Sequence, residues 1–274
     1  MSGKLKRFFI YFFLCLLAIV VLYPLYFAFI SSLKPLEQYA LDKLGLPKTF
    51  YSQNYITVLF KMKLLTYMVN TVITVSLGMV FYLIICSAAG LAFGKFNFRG
   101  RIALFSLILF FQIFPQMVVA GELYQLLSKM RLLNTRPGII LAWCAYFAPF
   151  GSYIMTTYFS AVPKEILESA RIDGSNVLQI LFRIMMPVAK PMLGTIGVIG
   201  TLSMWNELPF ASMILQSDGV RTLTVGIALL QGEHGLPVPI LSAAVIISSL
   251  IPTVGYFFFQ NFIALDVTAG SVKG

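Results

Sequence analysis

The chain has 274 residues, of which 59% are hydrophobic and only 11% charged, and its formal net charge is +10. A soluble domain carries about 25% charged residues, so this composition excludes an ordinary soluble protein and indicates a polytopic membrane protein. The positive charge is interpreted as basic loops that meet anionic lipid, with no nucleic-acid partner. Runs of Lys and Arg with interleaved polar residues, which would favour nucleic acid, are absent.

The first predicted element is a membrane-spanning helix over residues 8–30. This uncharged run follows a basic start, Lys4 to Arg7, and as a helix it would measure roughly 34 Å, enough to cross a hydrocarbon core of about 30 Å. A signal peptide is the alternative, but its apolar region spans about 7–15 residues and ends at small residues. Tyr23 to Leu25 is not such a site. We therefore predict an uncleaved helix and an extracytoplasmic loop, which together form an N-terminal region, 1–66.

Residues 67–264 are predicted to form a core of five further spans. These spans are 67–93, 102–121, 137–162, 191 to about 216, and 240 to about 264. Small residues from Ser87 to Gly90 would let helices approach closely in lipid, and Pro115 is expected to break the third span. The fold class is therefore all-α, with six transmembrane helices.

Six spans place both termini on the same side of the membrane. The start of the chain and the short 94–101 loop are basic, and short basic loops next to spans lie in the cytoplasm. Eleven of the 20 basic residues fall on that side. We therefore predict cytoplasmic termini, with residues 265–274 as a cytoplasmic tail. The lysine-rich loop over 31–66 is the main argument against this orientation.

Residues 163–187 form the most charged interval of the chain. Its charged residues are Lys164, Glu165, Glu168, Arg171, Asp173 and Arg183. One charged side chain in the bilayer centre costs roughly 2.5–3.5 kcal/mol. The 163–187 element is therefore predicted to lie outside the bilayer, between the fourth and fifth spans.

The first half of the 163–187 element has residues that are typical of a short helix. Pro163 suits a first helical turn, where its missing N–H is no loss. Glu165 and Glu168 fall near the positive N-terminal end and Arg171 near the C-terminal end, as the helix dipole favours. Gly174 would end this helix in a left-handed conformation.

The sequence of the second half of the 163–187 element predicts another helix after a sharp turn. Asn176 with Gln179 three residues later resembles a capping box. Pro187 and Pro191 are expected to disrupt this helix before the next apolar run. The 163–187 element is therefore predicted to be a helix–turn–helix that leads back to the membrane.

Residues that would indicate an enzyme or a metal centre are not found. The glycine–lysine pairs lack the spacing of a phosphate-binding loop, and no nucleophile elbow occurs. Three cysteines in apolar runs, Cys15, Cys86 and Cys144, are typical of small buried hydrophobes. The lone His234, in a Gly/Pro-rich loop, makes no metal site by itself. We predict that the chain is not an enzyme and does not hydrolyse ATP itself.

The 163–187 element closely resembles the EAA loop of ABC importer permeases. That loop reads E-A-A, three residues, G, nine residues, I-x-L-P, and this chain has Glu168-Ser169-Ala170, three residues, Gly174, nine residues and Ile184-Met185-Met186-Pro187. Ser169 and Met186 are mild departures. Further segments are similar to the carbohydrate-uptake branch related to maltose permeases: 170–174, 187–191, Trp205-Asn206 and 270–274.

The resemblance implies a type I importer permease for a carbohydrate in the cytoplasmic membrane of a bacterium or archaeon. An oligosaccharide or glycoside is the expected solute, and an organic polyol or a uronide is the alternative. The resemblance also implies several partners, namely a second and different permease subunit, two ATPase subunits and an extracytoplasmic solute-binding protein. ATP and Mg²⁺ would be bound by the ATPases, with no cofactor in this chain. The residues expected to couple the permease to the ATPase are Glu165, Glu168, Ser169, Ala170, Arg171, Asp173, Gly174, Ile184 and Pro187. The alternative for this stretch is a merely solvated loop.

The resemblance also implies a translocation path, for which five residues are candidates: Trp205, Asn206, Glu207, Asn70 and Gln112. Glu207 is ionisable and lies within an apolar span, which makes it a functional candidate. The alternative is that Glu207 lies near the outer interface and pairs with a neighbouring helix or with the binding protein, and that Asn70 and Gln112 make interhelical hydrogen bonds. The tail over 270–274 either reaches between ATPase subunits or is a frayed end.

Two other functions compete with an importer subunit. A secondary carrier driven by an ion gradient usually has internal repeats and buried titratable groups near the midplane, and here only Glu207 qualifies. A membrane scaffold that transports nothing is the third hypothesis.

Overall fold

The computed structural model of the chain describes residues 3–269, and helices are its only regular elements in that range. The helices are α1 (Gly3–Ser32), α2 (Leu36–Leu41), α3 (Gln53–Ile56), α4 (Leu64–Lys95), α5 (Arg101–Phe111), α6 (Gln116–Lys129), α7 (Arg136–Ala161), α8 (Glu165–Ile172), α9 (Val177–Gln179), α10 (Met186–Val188), α11 (Lys190–Trp205), α12 (Pro209–Ile214), α13 (Leu223–His234) and α14 (Val238–Ala269). Two π-helical segments follow α3 and α9, at Thr57–Lys61 and Ile180–Met185. The predicted all-α class is confirmed.

Six segments of the described chain are long and apolar enough to cross a membrane, if each of two bent helix pairs counts as one span. Four are single helices, at Arg7–Ser32, Leu64–Lys95, Arg136–Ala161 and Val238–Gly255. The bent pairs are α5 with α6, and Val177–Val188 with α11. In the second pair α11 begins one residue before the predicted fifth span, whereas 177–187 belongs to the charged element predicted to lie outside the bilayer. The predicted number of transmembrane helices is thus confirmed.

The third predicted span is sharply bent and longer than expected. α5 and α6 meet at 104°, and the break falls over 112–115. Pro115 comes directly before α6 and explains the break, because its ring cannot continue the preceding helix. The helix then runs to Lys129, so the predicted end at residue 121 was too early.

Helices α4 and α7 pack closely where the sequence has small residues. A Cβ atom at Gly90 would lie 2.6 Å from the Cβ of Met155, and one at Gly94 would lie 3.0 Å from the carbonyl oxygen of Thr156. Any side chain at Gly90 would displace the facing helix, and one at Gly94 would require the facing backbone to move by a few tenths of an ångström. The contact predicted from the run ending at Gly90 is present.

The chain divides into two compact units. One consists of the chain up to Thr66 and Gly226–Ile251, and the other of Tyr67–Val225 and the chain from Pro252 onward. The tail predicted over 265–274 is helical as far as Ala269, and residues 270–274 lie outside the described residues. His234, predicted in a loop, is the last residue of α13.

Candidate functional site

The first half of the 163–187 element is an amphipathic helix, as predicted. α8 has Glu165 and Glu168 in its first turn and Arg171 in its last. It buries Leu167 and Ala170 against the rest of the chain and exposes the charged residues. Pro163 was expected in the first turn, but the helix begins two residues later, at Glu165, with Lys164 as its N-cap.

The turn after α8 depends on a left-handed residue. Gly174 has φ +78°, and its N–H donates to the carbonyl of Arg171 at 3.0 Å. The N–H of Ser175 donates to the carbonyl of Ala170 at 2.9 Å. These two bonds form a Schellman motif. A Cβ at Gly174 would meet nothing within 4 Å, so glycine is needed for its backbone conformation and not for its size.

The second half begins with the predicted capping box. The Asn176 side chain accepts from the Gln179 N–H at 2.9 Å, and the Gln179 side chain accepts from the Asn176 N–H at 2.8 Å. Beyond it the helix is π-helical over Ile180–Met185 and returns to α-helix at Met186–Val188. Pro187 therefore lies within a helical segment instead of ending it. It has no N–H to donate, and the wide π turns before it match that missing bond.

The large change of direction comes after Pro187. Val177–Val188 and α11 meet at 86°, and the residue between them, Ala189, has φ −90° and ψ 14°. Pro191 lies in the first turn of α11, where proline is tolerated. The expected disruption is thus a bend between two helices.

Arg171 attaches the 163–187 element to the end of α4, and Lys95 joins the end of α4 to the end of α7. The guanidinium carbon of Arg171 lies 5.6 Å from the centre of the Phe96 ring, a cation–π contact. The Lys95 ammonium donates to the carbonyls of Ser160, at 3.2 Å, and Val162. The element follows α7 directly in the chain and is held on the end of α4 by Arg171, and Lys95 ties those two helix ends together. A force on the element would therefore reach both helices that pack at Gly90.

The predicted coupling residues do not all lie on the surface. Exposed positions are Glu165, Glu168, Ser169, Arg171, Asp173, Gly174 and Pro187, whereas Ile184 is half-buried and Ala170 is buried. Ala170 thus serves packing, and the Ser169 hydroxyl donates to the Glu165 carbonyl of its own helix at 2.9 Å. The surface also includes large apolar side chains that the sequence argument missed, Ile172 at 86% exposure and Leu178 at 65%. Their positions on either side of the Gly174 turn could have indicated that they are exposed.

Glu207 is buried, at 4% exposure, and its carboxylate is fully engaged in holding helices. It accepts from the Trp143 indole N–H at 3.0 Å, from the Phe210 N–H at 2.6 Å and from the Ala211 N–H at 3.0 Å. The last two are the free donors at the start of α12. This geometry favours the alternative in which Glu207 pairs with a neighbouring helix.

The other path candidates have separate surroundings. Trp205 is buried, and its carbonyl accepts from the Thr224 hydroxyl at 2.8 Å. Asn206 is exposed and its amide donates to the Leu202 carbonyl of its own helix at 2.9 Å. Gln112 is half-buried at the end of α5. Glu207, Trp205 and Asn206 are neighbours in sequence, yet they do not form one polar surface.

Asn70 belongs to a polar network that sequence reasoning missed. Its amide donates to the carbonyls of Asp218, at 3.1 Å, and Arg221, at 3.2 Å, and its oxygen accepts from Arg136 at 2.8 Å. Asp218 also forms an ion pair with Arg221 at 2.8 Å and accepts from the Tyr67 hydroxyl at 2.9 Å. The partners of Asn70 lie 66 to 151 residues away along the chain, so no local pattern signals them.

Asn134 holds the start of the loop over 216–221, which contains Asp218 and Arg221. The Asn134 side-chain oxygen accepts from the N–H of Gln216 at 3.0 Å and from the N–H and hydroxyl of Ser217 at 2.9 and 3.0 Å. Asn134 itself has φ +56°, which asparagine tolerates better than most residues. The loop over 216–221 is thus tied to the starts of α4 and α7 by side chains.

Comparison with known proteins places the chain in a family. Residues 87–267 match the family described as binding-protein-dependent transport system inner membrane component. The chain is 31% identical over 265 residues to the trehalose/maltose transport system permease protein of Thermococcus litoralis, covering 94% of each protein. It is 29% identical over 262 residues to the arabinooligosaccharides transport system permease protein of Halalkalibacterium halodurans, covering 94% of this chain and 93% of that one.

A solved structure is similar over almost the whole chain. One chain of a bacterial ABC transporter involved in the import of the acidic polysaccharide alginate matches with a TM-score of 0.79 at 25% identity, covering 95% of this chain and 96% of that chain. The fold and the 163–187 element define the class: a multi-pass, all-helical permease with a capped helix–turn–helix between two of its spans. The chain belongs to the family of inner-membrane components of binding-protein-dependent transport systems. The resemblance carried by Glu168, Gly174 and Pro187 is confirmed at the level of family and fold.

Proposed function

We propose that this chain is the permease subunit of a carbohydrate importer and that ATP hydrolysis in separate ATPase subunits moves it through the 163–187 element. The observation that carries the proposal is the construction of that element. It is short, its turn is capped by the Schellman motif at Gly174 and by the Asn176–Gln179 box, its tip is exposed, and Arg171 holds it on Phe96. Such an element transmits force because it resists internal bending.

The proposed solute is an oligosaccharide. The relatives and the structural neighbour are named for trehalose or maltose, for arabinooligosaccharides and for alginate. Those solutes share a chain of sugar rings but differ in linkage and charge, so the class is better supported than any one sugar. A solute-binding protein would deliver it on the side opposite the ATPases.

The proposed docking surface combines charge with exposed apolar area. Glu165, Glu168 and Asp173 give the α8 end acidic groups, and Arg171 remains near them. Ile172 and Leu178 project beside the Gly174 turn, and large apolar side chains with a charged rim are typical of a protein interface. The ATPase subunit whose cleft surrounds this tip would bind ATP and Mg²⁺ at a separate site, and closure of the ATPase subunits on hydrolysable ATP would push on α8.

The push would reach the spans by two routes. Leu167 and Ala170 transmit it through packing, and Arg171 on Phe96 and Lys95 on the end of α7 transmit it to the α4–α7 pair. Those two helices pack without intervening side chains at Gly90. We propose that they tilt together and that this tilt alternates access to the solute path. A second, different permease subunit would supply the other half of the path.

The orientation proposed is cytoplasmic for the 163–187 element and for both termini. It follows from the basic start of the chain and the basic 94–101 loop. Thiol labelling tests it directly. Because Cys15 is exposed, the test uses a Cys15→Ser background expressed without the ATPase subunits. An Asp173→Cys variant should then react with an impermeant maleimide in inverted vesicles and not in intact cells, and the reverse result would contradict the orientation.

The coupling proposal is tested by two surface variants, Glu168→Lys and Leu178→Asp. Both side chains are exposed, so the fold should persist while co-purification of the ATPase and solute uptake are lost. Glu122→Lys, the same charge reversal at an exposed position outside the element, is the matched control and should keep both. Unchanged co-purification in the two variants would refute docking at this surface. A secondary carrier has less support, because Glu207 is already bonded to three N–H groups.

A further inference from the structure

The loop after α1 is folded back on itself, so that it remains at the end of that helix. The Tyr51 N–H donates to the Leu33 carbonyl at 3.1 Å, and the Asn54 amide donates to the carbonyls of Ser32 and Lys34 at 2.9 and 2.8 Å. Residues 35–51, here named the knob, are therefore a closed excursion whose two ends meet where α1 ends. It cannot extend far from that point.

Several polar groups in the knob, and Lys34 directly before it, are bonded within this segment. Lys34 is fully buried, and its ammonium donates to the carbonyls of Asp42 and Lys43 at 3.0 and 3.2 Å. The Gln38 side chain donates to the Leu46 carbonyl at 3.1 Å, and the Asp42 carboxylate accepts from the Gly45 N–H at 2.8 Å. These bonds fix the backbone, so the outward surface of the knob is defined by its remaining side chains.

That outward surface is unusually apolar for a loop. Four large side chains between residues 41 and 50 are exposed: Leu41 at 90%, Leu44 at 64%, Leu46 at 68% and Phe50 at 76%. Large apolar side chains in such numbers mark an interaction surface. The exposed charged residues around them are Lys43 and Lys48, with Glu37 and Asp42 as the acids.

We propose that the knob inserts these four side chains into the headgroup and upper acyl region of the bilayer, as an interfacial anchor. The position of the knob supports lipid as the occupant. It is tied to the end of α1, whose apolar side chains are exposed from Phe8 to Phe29, a surface that lipid covers in a membrane-spanning helix. The headgroup zone is roughly 5–8 Å deep on each side of the hydrocarbon, which the tied knob can reach.

The composition of the knob fits the same occupant. Interfacial segments combine leucine and aromatic side chains with lysines that meet lipid phosphates, and here Lys43 and Lys48 alternate with Leu44, Leu46 and Phe50. The internal bonding of Lys34 fits as well, because backbone groups near hydrocarbon need partners within the protein. The knob would hold the outer end of α1 at a fixed depth.

The test measures the depth of single nitroxide labels on the full chain in vesicles of phosphatidylethanolamine and phosphatidylglycerol. Cys86 and Cys144 are buried and Cys15 is exposed, so a Cys15→Ser background leaves only the introduced thiol accessible. Labels would be placed by Leu41→Cys, Leu44→Cys and Phe50→Cys. An Asp173→Cys label at the exposed Gly174 turn is the aqueous control.

Collision with oxygen, which dissolves in lipid, is compared with collision with a water-soluble nickel chelate. The proposal expects an oxygen-to-nickel ratio severalfold above the Asp173→Cys control at all three positions. A ratio equal to that of the control would overturn it, because the knob would then lie in water. Low collision with both reagents would also overturn it, because protein would then cover the surface. Neither outcome bears on ATPase coupling, which is measured at the 163–187 element.

Discussion

Replacing Gly174 by larger residues separates the backbone conformation of the turn from its size. Gly174 has φ +78°, and a side chain there would meet no atom within 4 Å. The cost of a substitution is therefore conformational, about 1–2 kcal/mol for an ordinary L-residue in the left-handed region. Asparagine visits this region more readily than β-branched residues. The expected order of damage is Gly174→Asn, then Gly174→Ala, then Gly174→Val.

The conformational cost at Gly174 predicts how far solute-stimulated ATP hydrolysis should fall. One or two kcal/mol changes the population of a conformation by a factor of about 5–30. If the turn must hold its native shape for the ATPase to push α8, solute-stimulated ATP hydrolysis by reconstituted transporter should fall by a similar factor in Gly174→Val. Membrane insertion and the unfolding temperature should change little, because α8 contributes few buried side chains.

Ser175→Ala is the matched control for these variants. It keeps the backbone N–H that donates to the Ala170 carbonyl, and it should leave coupling unchanged. Equal activity in Gly174→Asn and Gly174→Val would refute the argument, because a purely conformational cost must depend on the residue type. A loss of membrane insertion in Gly174→Val would refute it as well, since the defect would then be global.

Substitutions at Gly90, Asn176 and Glu207 should each lower stability by an amount that follows from the contacts of the replaced residue. Gly90→Ala places a Cβ 2.6 Å from that of Met155 and should destabilise the protein by about 1–3 kcal/mol in thermal unfolding, whereas Gly121→Ala, with no atom within 4 Å, should not. Asn176→Ala removes one half of the capping box and should cost about 0.5–2 kcal/mol, seen as faster proteolysis within the 163–187 element; unchanged cleavage would contradict a structural cap. Glu207→Gln replaces one of the two acceptor oxygens by an NH₂ group that faces N–H donors, and it should lower the free energy of unfolding by about 1–3 kcal/mol. Uptake per folded molecule should stay the same. Uptake lost at normal stability would instead place Glu207 in the solute path.

Local chemistry accounts for what could be predicted in the 163–187 element. The left-handed Gly174 and the Asn176–Gln179 box are each determined within a few residues, and such motifs carry their own hydrogen bonds. The apolar runs likewise predicted the spans, because helix length and bilayer thickness are matched. Residue identity at short range was sufficient in these cases.

The features that could not be predicted depend mainly on residues that are distant in sequence. Asn70 looked like a candidate for the solute path, yet its partners are Arg136, Asp218 and Arg221. The role of Glu207 was closer to prediction, since it comes two residues before Pro209 at the start of α12, a local signal for a helix cap. The 104° and 86° angles of the bent spans could not be predicted, because proline marks a break without fixing its angle.

The close packing of α4 and α7 also has a mechanical consequence. A Cβ at Gly78 would meet the Trp143 ring at 3.5 Å, one at Gly90 the Met155 Cβ at 2.6 Å and one at Gly94 the Thr156 carbonyl at 3.0 Å, so the two helices are joined along roughly 24 Å of their length. Two rods joined at several points behave as one beam, whose bending stiffness far exceeds that of either rod. Work applied at one end of such a beam arrives at the other as rotation, with little lost in flexing.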